Sequence, residues 1–266
     1  MNKLEESMRA IYGSQDLAAH PFFQGGFINF GYWKDIPITH GIEVNARTSA
    51  SRALYECLLN QLNITAGDTL LEVGCGHGLG CALICERWHP ASVIGIDLMP
   101  EQVERANENL HRLTKNDCSI TFRQGRSDAL DFPADTFTKI YTVEAAQHFP
   151  SIPKFLEECW RTLKPNGQLG ITTFFAESTD ALEQMRKHIP ELDLVMNPIS
   201  PLSTLTEAAT KLGYKINVLE RIGEHVFPGF QKWVELTKCK DDWGPIWEKA
   251  YELKLHDYFN IVLQKQ

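Results

Sequence analysis

The sequence predicts an α/β domain built on a doubly wound, mainly parallel seven-stranded sheet with helical lid insertions. Short apolar runs of strand length alternate with segments whose apolar residues recur at helical spacing, a pattern typical of parallel βα units. The first apolar run continues into LLEVGCGHGLG (70–80), in which glycine occupies every second position from 74 to 80. In a doubly wound sheet, a glycine turn between a strand and a helix indicates a ligand site at the carboxyl ends of the strands.

The individual elements follow in the order that this fold requires. The runs predicted as strands are TLLEV, ASVIGID, CSITFRQG, FTKIYTVEAA, QLGITTFF, YKINVLERI and YFNIVLQKQ. The segments predicted as helices between them are LGCALICERW, MPEQVERANENLHRL, SIPKFLEECWRTLK and LSTLTEAATKLG. Pro100 in a first turn and Gly213 after a last turn mark helix ends, and Pro165 with Gly167 is expected to end the third of these helices.

Three regions depart from the regular alternation. Residues 1–50 are aromatic and irregular, residues 176–202 carry three prolines, and a helical insert at 229–255 separates the last two strands. We therefore predict an N-terminal aromatic arm or lid at 1–50. The rest, 51–266, is predicted to be one ligand-binding domain in which 176–202 and 229–255 are lid insertions.

Composition narrows the possible functions. The chain has 266 residues, of which 43% are hydrophobic and 23% charged, as in ordinary globular proteins. Its net charge of −8 and the lack of a basic run argue against a nucleic-acid partner. The start MNKLEESMRA lacks the apolar core of a signal peptide and no stretch is apolar enough for a membrane span, so we expect a cytoplasmic protein without a membrane partner. Its seven cysteines, without a CxxC pair, are expected to be reduced and not to bind metal.

The glycine loop differs from the two common phosphate-binding loops. A dinucleotide loop has the spacing GxGxxG, but here Leu79 stands where the third glycine should fall, and no GK[ST] follows as in a P-loop. The loop therefore favours close approach of a nucleoside-type ligand without a pyrophosphate. Asp97, at the end of the second strand, could accept both ribose hydroxyls. Asp128, in the turn after the third strand, could accept a hydrogen bond from an exocyclic amine.

These features together resemble the class I S-adenosylmethionine (SAM)-dependent methyltransferases, in particular those that act on small molecules and natural products. The motifs that match, in chain order, are LLEVGCGHG, GIDLMPEQVERA, QGRSDALDFP, FTKIYTVEAAQHFP and FLEECWRTLKPNGQLGI. The resemblance extends over nearly the whole chain. It implies the Rossmann-like methyltransferase fold, SAM as the cofactor and S-adenosylhomocysteine (SAH) as its product.

The resemblance also implies which residues hold SAM. Glu72, Gly74 and Gly76 would surround the methionine half, and Asp97 with Gln102 would meet the ribose. The other residues expected at the cofactor, around the adenine or near the methyl group, are Tyr32, Leu98, Ser127, Asp128, Ala129 and Val143.

The candidate general base is His148, in EAAQHFP after the fourth strand, because an imidazole has an unperturbed pKa near 6.5. The related small-molecule enzymes carry a His-His pair here, whereas this chain has Gln147-His148, and Thr173 stands where several of them have a supporting acid. His148 could instead only hydrogen-bond backbone in its loop. The side chains expected at the acceptor are Tyr12, Trp33, Phe174, Phe175 and His225.

Aromatic lids favour a small, apolar or partly aromatic acceptor. The identity of the acceptor, the choice between O-, N- and C-methylation, and the oligomeric state stay open. Two alternatives remain. One is a SAM-binding protein of the same fold without methyl transfer, which steers a cyclisation or senses the cofactor. The other is an NAD-dependent oxidoreductase. Two features argue against it: Leu79 in the glycine loop, and the seventh strand that follows the sixth at the end of the chain.

Overall fold

The seven predicted strands form one sheet. The structure is a computed structural model and describes residues 6, 9–13, 23, 25–39, 43–113, 118–188, 199–237 and 244–266. The strands are β1 (Thr69–Val73), β2 (Ser92–Asp97), β3 (Ser119–Gln124), β4 (Phe137–Val143), β5 (Leu163–Ala176), β6 (Lys215–Arg221) and β7 (His256–Gln264). Their order is β3-β2-β1-β4-β5-β7-β6, with β7 antiparallel to both of its neighbours and the other pairs parallel. The predicted fold class is confirmed.

The α-helices of the described ranges lie on the two faces of the sheet. They are α1 (Glu43–Leu59), α2 (Leu79–Trp88), α3 (Pro100–Leu113), α4 (Ile152–Thr162), α5 (Thr179–His188), α6 (Leu202–Leu212), α7 (Phe227–Leu236) and α8 (Gly244–Glu252). The helix predicted to end at Pro165 and Gly167 ends earlier, since β5 already begins at Leu163. None of the described helices combines the length and the apolar character that crossing a membrane requires.

The predicted lids correspond to distinct elements where they are described. The arm contributes a π-helical turn, Arg9–Gly13, and an irregular segment with turns at 25–39. The insertion at 176–202 contains α5, and the insertion at 229–255 contains α8 and most of α7. The remaining parts of these three regions lie outside the described residues.

Each face of the sheet has its own hydrophobic cluster. Leu54 of α1, Ile84 of α2 and Trp233 of α7 are fully buried on one face, and Phe155 of α4 and Leu205 of α6 are fully buried on the other. Burying a side chain of this size stabilises the fold by roughly 1.5–3 kcal/mol. Because successive strand residues point to opposite faces, both clusters draw on the same strands.

The expectation that all cysteines are reduced is wrong for two of them. Cys85, in α2, and Cys118, just before β3, form a disulfide with their Cα atoms 5.7 Å apart. The two positions are 33 residues apart in the chain, and α2 packs beside β2. The cysteines that the structure describes as free are Cys57, Cys75, Cys81 and Cys159.

Candidate active site

A cavity opens at the carboxyl ends of β1, β2 and β4, and its empty space, together with the open solvent at its mouth, is about 1070 Å³. Its walls come from the glycine loop, from the turns after β2, β3 and β4, and from the N-terminal arm. The lining segments are 73–77, 79–80, 96–99, 125–128, 143–145 and 148–150, together with Tyr12, 26–28, Tyr55 and Gln102.

The glycine loop and Asp97 form one rigid unit on the cavity floor. The backbone N–H of Gly76 donates to one carboxylate oxygen of Asp97 and that of Met99 donates to the other, both at 3.0 Å. Burial raises the pKa of the Asp97 carboxyl above its usual value, although both amides favour the charged form. A Cβ atom added at Gly76 would meet no atom within 4 Å, so the loop faces open space beside this carboxylate.

Gly74 serves a different purpose in the same loop. Its φ of +83° lies in the left-handed region, and a Cβ atom there would lie 2.3 Å from the Cβ of Ala145. Its N–H donates to the carbonyl of Ile96 at 2.8 Å, which ties the turn after β1 to the end of β2. Gly74 therefore lets the turns after β1 and β4 approach each other, whereas Gly76 leaves room in the cavity.

Most residues expected at the cofactor line this cavity together. They are Gly74, Gly76, Asp97, Leu98, Gln102, Ser127, Asp128 and Val143. The carboxylate of Asp128 already accepts hydrogen bonds from Arg126, the shorter at 3.0 Å. Ala129 forms an isolated bridge with Arg126 and is not among the lining residues.

The structure places Glu72 behind the cavity wall rather than in it. Its carboxyl is fully buried and accepts hydrogen bonds from the hydroxyls of Tyr55, at 3.0 Å, and Tyr141, at 2.8 Å, and from the thiol of Cys81, at 3.0 Å. Burial raises the pKa of Glu72 to about 7. Of these groups, Tyr55 also lines the cavity. Glu72 therefore holds a side chain of the cavity wall in place and does not itself border the cavity.

The aromatic side chains expected at the acceptor are spread over the interior. Phe174 and Phe175 are neighbours on β5 and belong to the clusters on opposite faces, so they cannot line one pocket together, and Phe175 is on the face away from the arm. Trp33 is buried against Gly229, and its indole N–H donates to the carbonyl of Phe30 at 2.9 Å. None of these three side chains borders the cavity.

Tyr32 and His225 also lie outside the cavity lining. Their rings meet edge to face with centroids 5.3 Å apart, and the N–H of Trp33 donates to the carbonyl of His225 at 2.7 Å. Tyr32 and Trp33 thus fasten the arm to the turn before α7. Both side chains pack against neighbouring residues and do not border the cavity at which the sequence predicted them.

Tyr12 and His148 do line the cavity, and they are in contact. The Tyr12 hydroxyl lies 2.9 Å from Nε2 of His148. Burial lowers the pKa of His148 to about 4, so its imidazole is neutral at physiological pH. In the described part of the chain, Nδ1 of His148 is buried without a hydrogen-bond partner.

Glu144 is one of the cavity residues that were not recognised from the sequence. Glu144 directly follows β4, lines the cavity and has a left-handed φ of +46°. Its carboxyl accepts hydrogen bonds from the N–H of Phe30, at 2.6 Å, and the hydroxyl of Tyr258, at 2.8 Å, and burial raises its pKa to about 7. A carboxylate just beyond a central parallel strand is itself a signal for such a site.

Comparison with known proteins agrees with this geometry. Residues 71–171 match the family model of a methyltransferase domain. The chain is 29% identical to the fatty-acid O-methyltransferase of Mycolicibacterium smegmatis over 85% of this chain and 77% of that protein. It is 34% identical to the erythromycin 3''-O-methyltransferase of Saccharopolyspora erythraea over 56% of this chain. It spans only about half of that relative's length, 46%.

A solved structure extends the similarity to the complete fold. The geranyl diphosphate C-methyltransferase of Streptomyces coelicolor, in complex with SAH, superposes with a TM-score of 0.84 at 16% identity. The alignment covers 100% of this chain and 99% of that one. The resemblance that the sequence motifs indicated is thus confirmed: residues 71–171 are similar to a methyltransferase domain, and the whole chain has the Rossmann-like fold of the solved methyltransferase.

Proposed function

We propose that this protein transfers a methyl group from SAM to a small-molecule acceptor. The observation that carries the proposal is the cavity floor, where the half-buried Asp97 carboxylate lies beside the open space over Gly76. Relatives that are named as methyltransferases support the reaction class. The net charge of −8 favours a small molecule over a polyanionic acceptor, and a cytoplasmic location without a membrane partner is part of the proposal.

The residues of the cavity fit SAM. Asp97 offers two carboxylate oxygens to the ribose hydroxyls, Leu98 and the 127–129 turn would receive the adenine, and the loop at 74–76 would follow the methionine half. When bound, SAM supplies a methyl carbon made electrophilic by the positive sulfur, which keeps the electron pair of the broken carbon–sulfur bond. The protein's own contribution is to orient the acceptor, exclude water and receive a proton.

The acceptor end of the cavity combines apolar walls with two ionisable side chains. Phe27, Ile28 and Phe149 supply apolar surface, which suits an apolar or aromatic small molecule. His148 is the candidate for the general base from the sequence. Its neutrality supports this role, whereas the hydrogen bond of Tyr12 to Nε2 occupies one of its two nitrogens.

We further propose that the arm closes over the site as a lid, with the two insertions beside it. The guanidinium of Arg105, on α3, donates to the carbonyls of Tyr12, at 3.0 Å, and Gly13, at 2.8 Å. Arg9 pairs with Glu101 on the same helix at 3.1 Å. These contacts support a lid that is latched to α3 and carries Tyr12 over the cavity.

A ligand-binding assay followed by a turnover assay tests the proposal. We expect SAM and SAH, but not NAD, to raise the melting temperature, because the cavity fits a nucleoside ligand without a pyrophosphate. A panel of small hydroxyl and amine acceptors should then convert SAM to SAH. Stabilisation by NAD instead would favour an oxidoreductase. SAM binding without SAH formation on any acceptor would favour the alternative of a SAM-binding protein without methyl transfer.

A further inference from the structure

Glu144 is held in a conformation that its side chain disfavours. Its φ of +46° is left-handed, which is uncommon for a residue other than glycine, asparagine or aspartate. Its N–H donates to the carbonyl of Thr172 at 2.9 Å, and its own carbonyl accepts from Nε2 of Gln147 at 2.8 Å. Residues in such conformations persist only where their surroundings fix them, and they cluster at functional sites.

Gln147 and Thr173, the two residues that differ from the expected pattern, help to hold Glu144 in place. Gln147 stands where related enzymes have a histidine, and Thr173 stands where several have an acid. The hydroxyl of Thr173 donates to Oε1 of Gln147 at 2.6 Å, which leaves the Gln147 amide directed at the Glu144 carbonyl. The two replacements therefore position Glu144 through this chain of hydrogen bonds.

The carboxyl of Glu144 has one oxygen anchored and one available. Phe30 and Tyr258 both donate to Oε1, and among the hydrogen bonds between described residues none reaches Oε2. The side chain is only half-buried because it borders the cavity. The available oxygen thus belongs to a carboxyl that two hydrogen bonds hold at the cavity wall.

The charged and titratable groups around Glu144 come from three elements. Tyr258 of β7 donates to it, the buried Arg47 of α1 favours its ionised form, and Tyr12 of the arm is itself affected by its charge. Burial raises the pKa of Glu144, and the hydrogen-bond donors and Arg47 lower it. Because the effect of burial is the larger, the pKa is about 7. A general base works best when its pKa is close to the working pH.

Building on the proposed methyl transfer, we propose that Glu144 is a catalytic residue that binds the nucleophilic end of the acceptor, and that this end is a hydroxyl or an amine. The O–H or N–H bond of the acceptor breaks and its proton passes to the Glu144 carboxylate. The electron pair left on oxygen or nitrogen forms the new bond to the methyl carbon. A carboxylate acceptor is disfavoured, since two like charges would meet at the same place.

Glu144 and His148 are therefore competitors for one proton. His148 has a pKa of about 4, its Nε2 is engaged by Tyr12 and its Nδ1 is buried, whereas the half-buried Glu144 has an available oxygen and a pKa of about 7. Both line the same cavity. Geometry and acidity together favour Glu144.

Matched probe ligands test the proposal without depending on turnover. Octylamine, 1-octanol and octanoate share one apolar tail and differ only in the head group. In calorimetry on the SAH-loaded protein at about pH 8, we expect octylammonium to bind at least about tenfold more tightly than octanoate, with octanol between them. At about pH 6, where Glu144 is protonated, octylammonium should lose most of this advantage.

Variants separate Glu144 from other acids. Glu144→Gln keeps the shape, and we expect it to bind SAH as wild type does and the three probes within about threefold of each other. Tyr258→Phe removes a donor to the carboxylate, so the pH at which octylammonium binding improves should move upward. Glu157→Gln, on the exposed side of α4, is the matched control and should behave as wild type.

The outcomes distinguish this inference from the function on which it rests. Equal affinities in wild type, preference for octanoate, failure of both octylamine and octanol to bind, or an unchanged preference in Glu144→Gln would each overturn the role of Glu144. If SAH itself does not bind, the proposed function fails and the role of Glu144 fails with it. If SAH binds and the probes show no preference, only the role of Glu144 is lost.

Discussion

The hydroxyl of Tyr12 lies 2.9 Å from Nε2 of His148, and the two rings meet edge to face with centroids 5.4 Å apart. Tyr12 belongs to the arm and His148 to the turn after β4, so this contact joins the two sides of the cavity. Burial raises the pKa of Tyr12 and lowers that of His148, which leaves both side chains neutral near pH 7. The arm thus closes on the cavity through a neutral hydrogen bond, while Arg105 holds its backbone from outside.

Release of this latch should accelerate ligand exchange. Arg105→Met removes both hydrogen bonds to the carbonyls of Tyr12 and Gly13, and we expect SAH to dissociate about tenfold faster, corresponding to about 1.4 kcal/mol. Stopped-flow fluorescence would measure the rate. Arg52→Met, which removes a surface ion pair with Glu86, is the control. Equal dissociation rates in all three proteins would contradict the lid.

The pH profile should identify the proton acceptor. On any acceptor that wild type methylates, we expect kcat/KM to rise with pH through about 7, because Glu144 must be ionised to accept a proton. His148→Asn should keep this rise of kcat/KM with pH. Glu144→Gln should lose the rise and lower kcat by about 10²–10⁴. A flat profile from about pH 5 to about pH 9 that depends on His148 would instead assign the proton to the histidine, whose pKa is about 4.

Loss of the Asp97 carboxylate should weaken SAM binding. Asp97→Ala removes the acceptor that we propose for the ribose hydroxyls, together with the acceptor of the Gly76 and Met99 amides, so affinity in calorimetry should fall at least about tenfold. A thermal melt of the same sample checks that the variant is folded. Asp131→Ala, at an exposed position in the loop before β4, should bind normally. Wild-type affinity in folded Asp97→Ala would remove the basis of the cofactor site.

The two loop glycines should respond differently to alanine. Both have positive φ, which costs an alanine about 1–2 kcal/mol of stability. Gly74→Ala also forces a methyl group to within 2.3 Å of Ala145, so it should unfold at a clearly lower urea concentration than Gly76→Ala. Gly76→Ala should fold and instead lose SAM affinity, since its methyl group points into open space. Equal stability and equal affinity would show that the loop has another geometry.

Glu72 should make the fold less stable as pH rises. Its pKa is about 7 in the folded protein and about 4.5 in the unfolded chain, so the folded state holds the proton more tightly. Stability is therefore full below about pH 4.5 and falls as pH rises towards 7, by about 3 kcal/mol for this group. Glu72→Gln should remove this part of the slope in urea unfolding at several pH values. An unchanged slope would mean that Glu72 is ionised in the folded state at neutral pH.

The sequence by itself determined the fold class and the floor of the site. Strand-length runs alternate regularly with helical segments, and right-handed βα units then leave few possible sheet arrangements. Asp97 and the glycine loop could be located because the carboxyl ends of parallel strands meet at one edge. These features depend on residues that are neighbours in the chain, and local patterns report them directly.

Only the tertiary structure decided which side chains reach the cavity. Glu72 is turned away because Tyr55 and Tyr141 donate to it. Glu144 is kept at the cavity because Tyr258, 114 residues away in the chain, fixes its carboxyl. A buried carboxyl follows its hydrogen-bond donors, and donors from distant strands and helices leave no pattern in the local sequence. Packing between distant elements therefore determines the roles of these two acids. The fold that brings them together could be predicted from the alternation of strands and helices in the sequence.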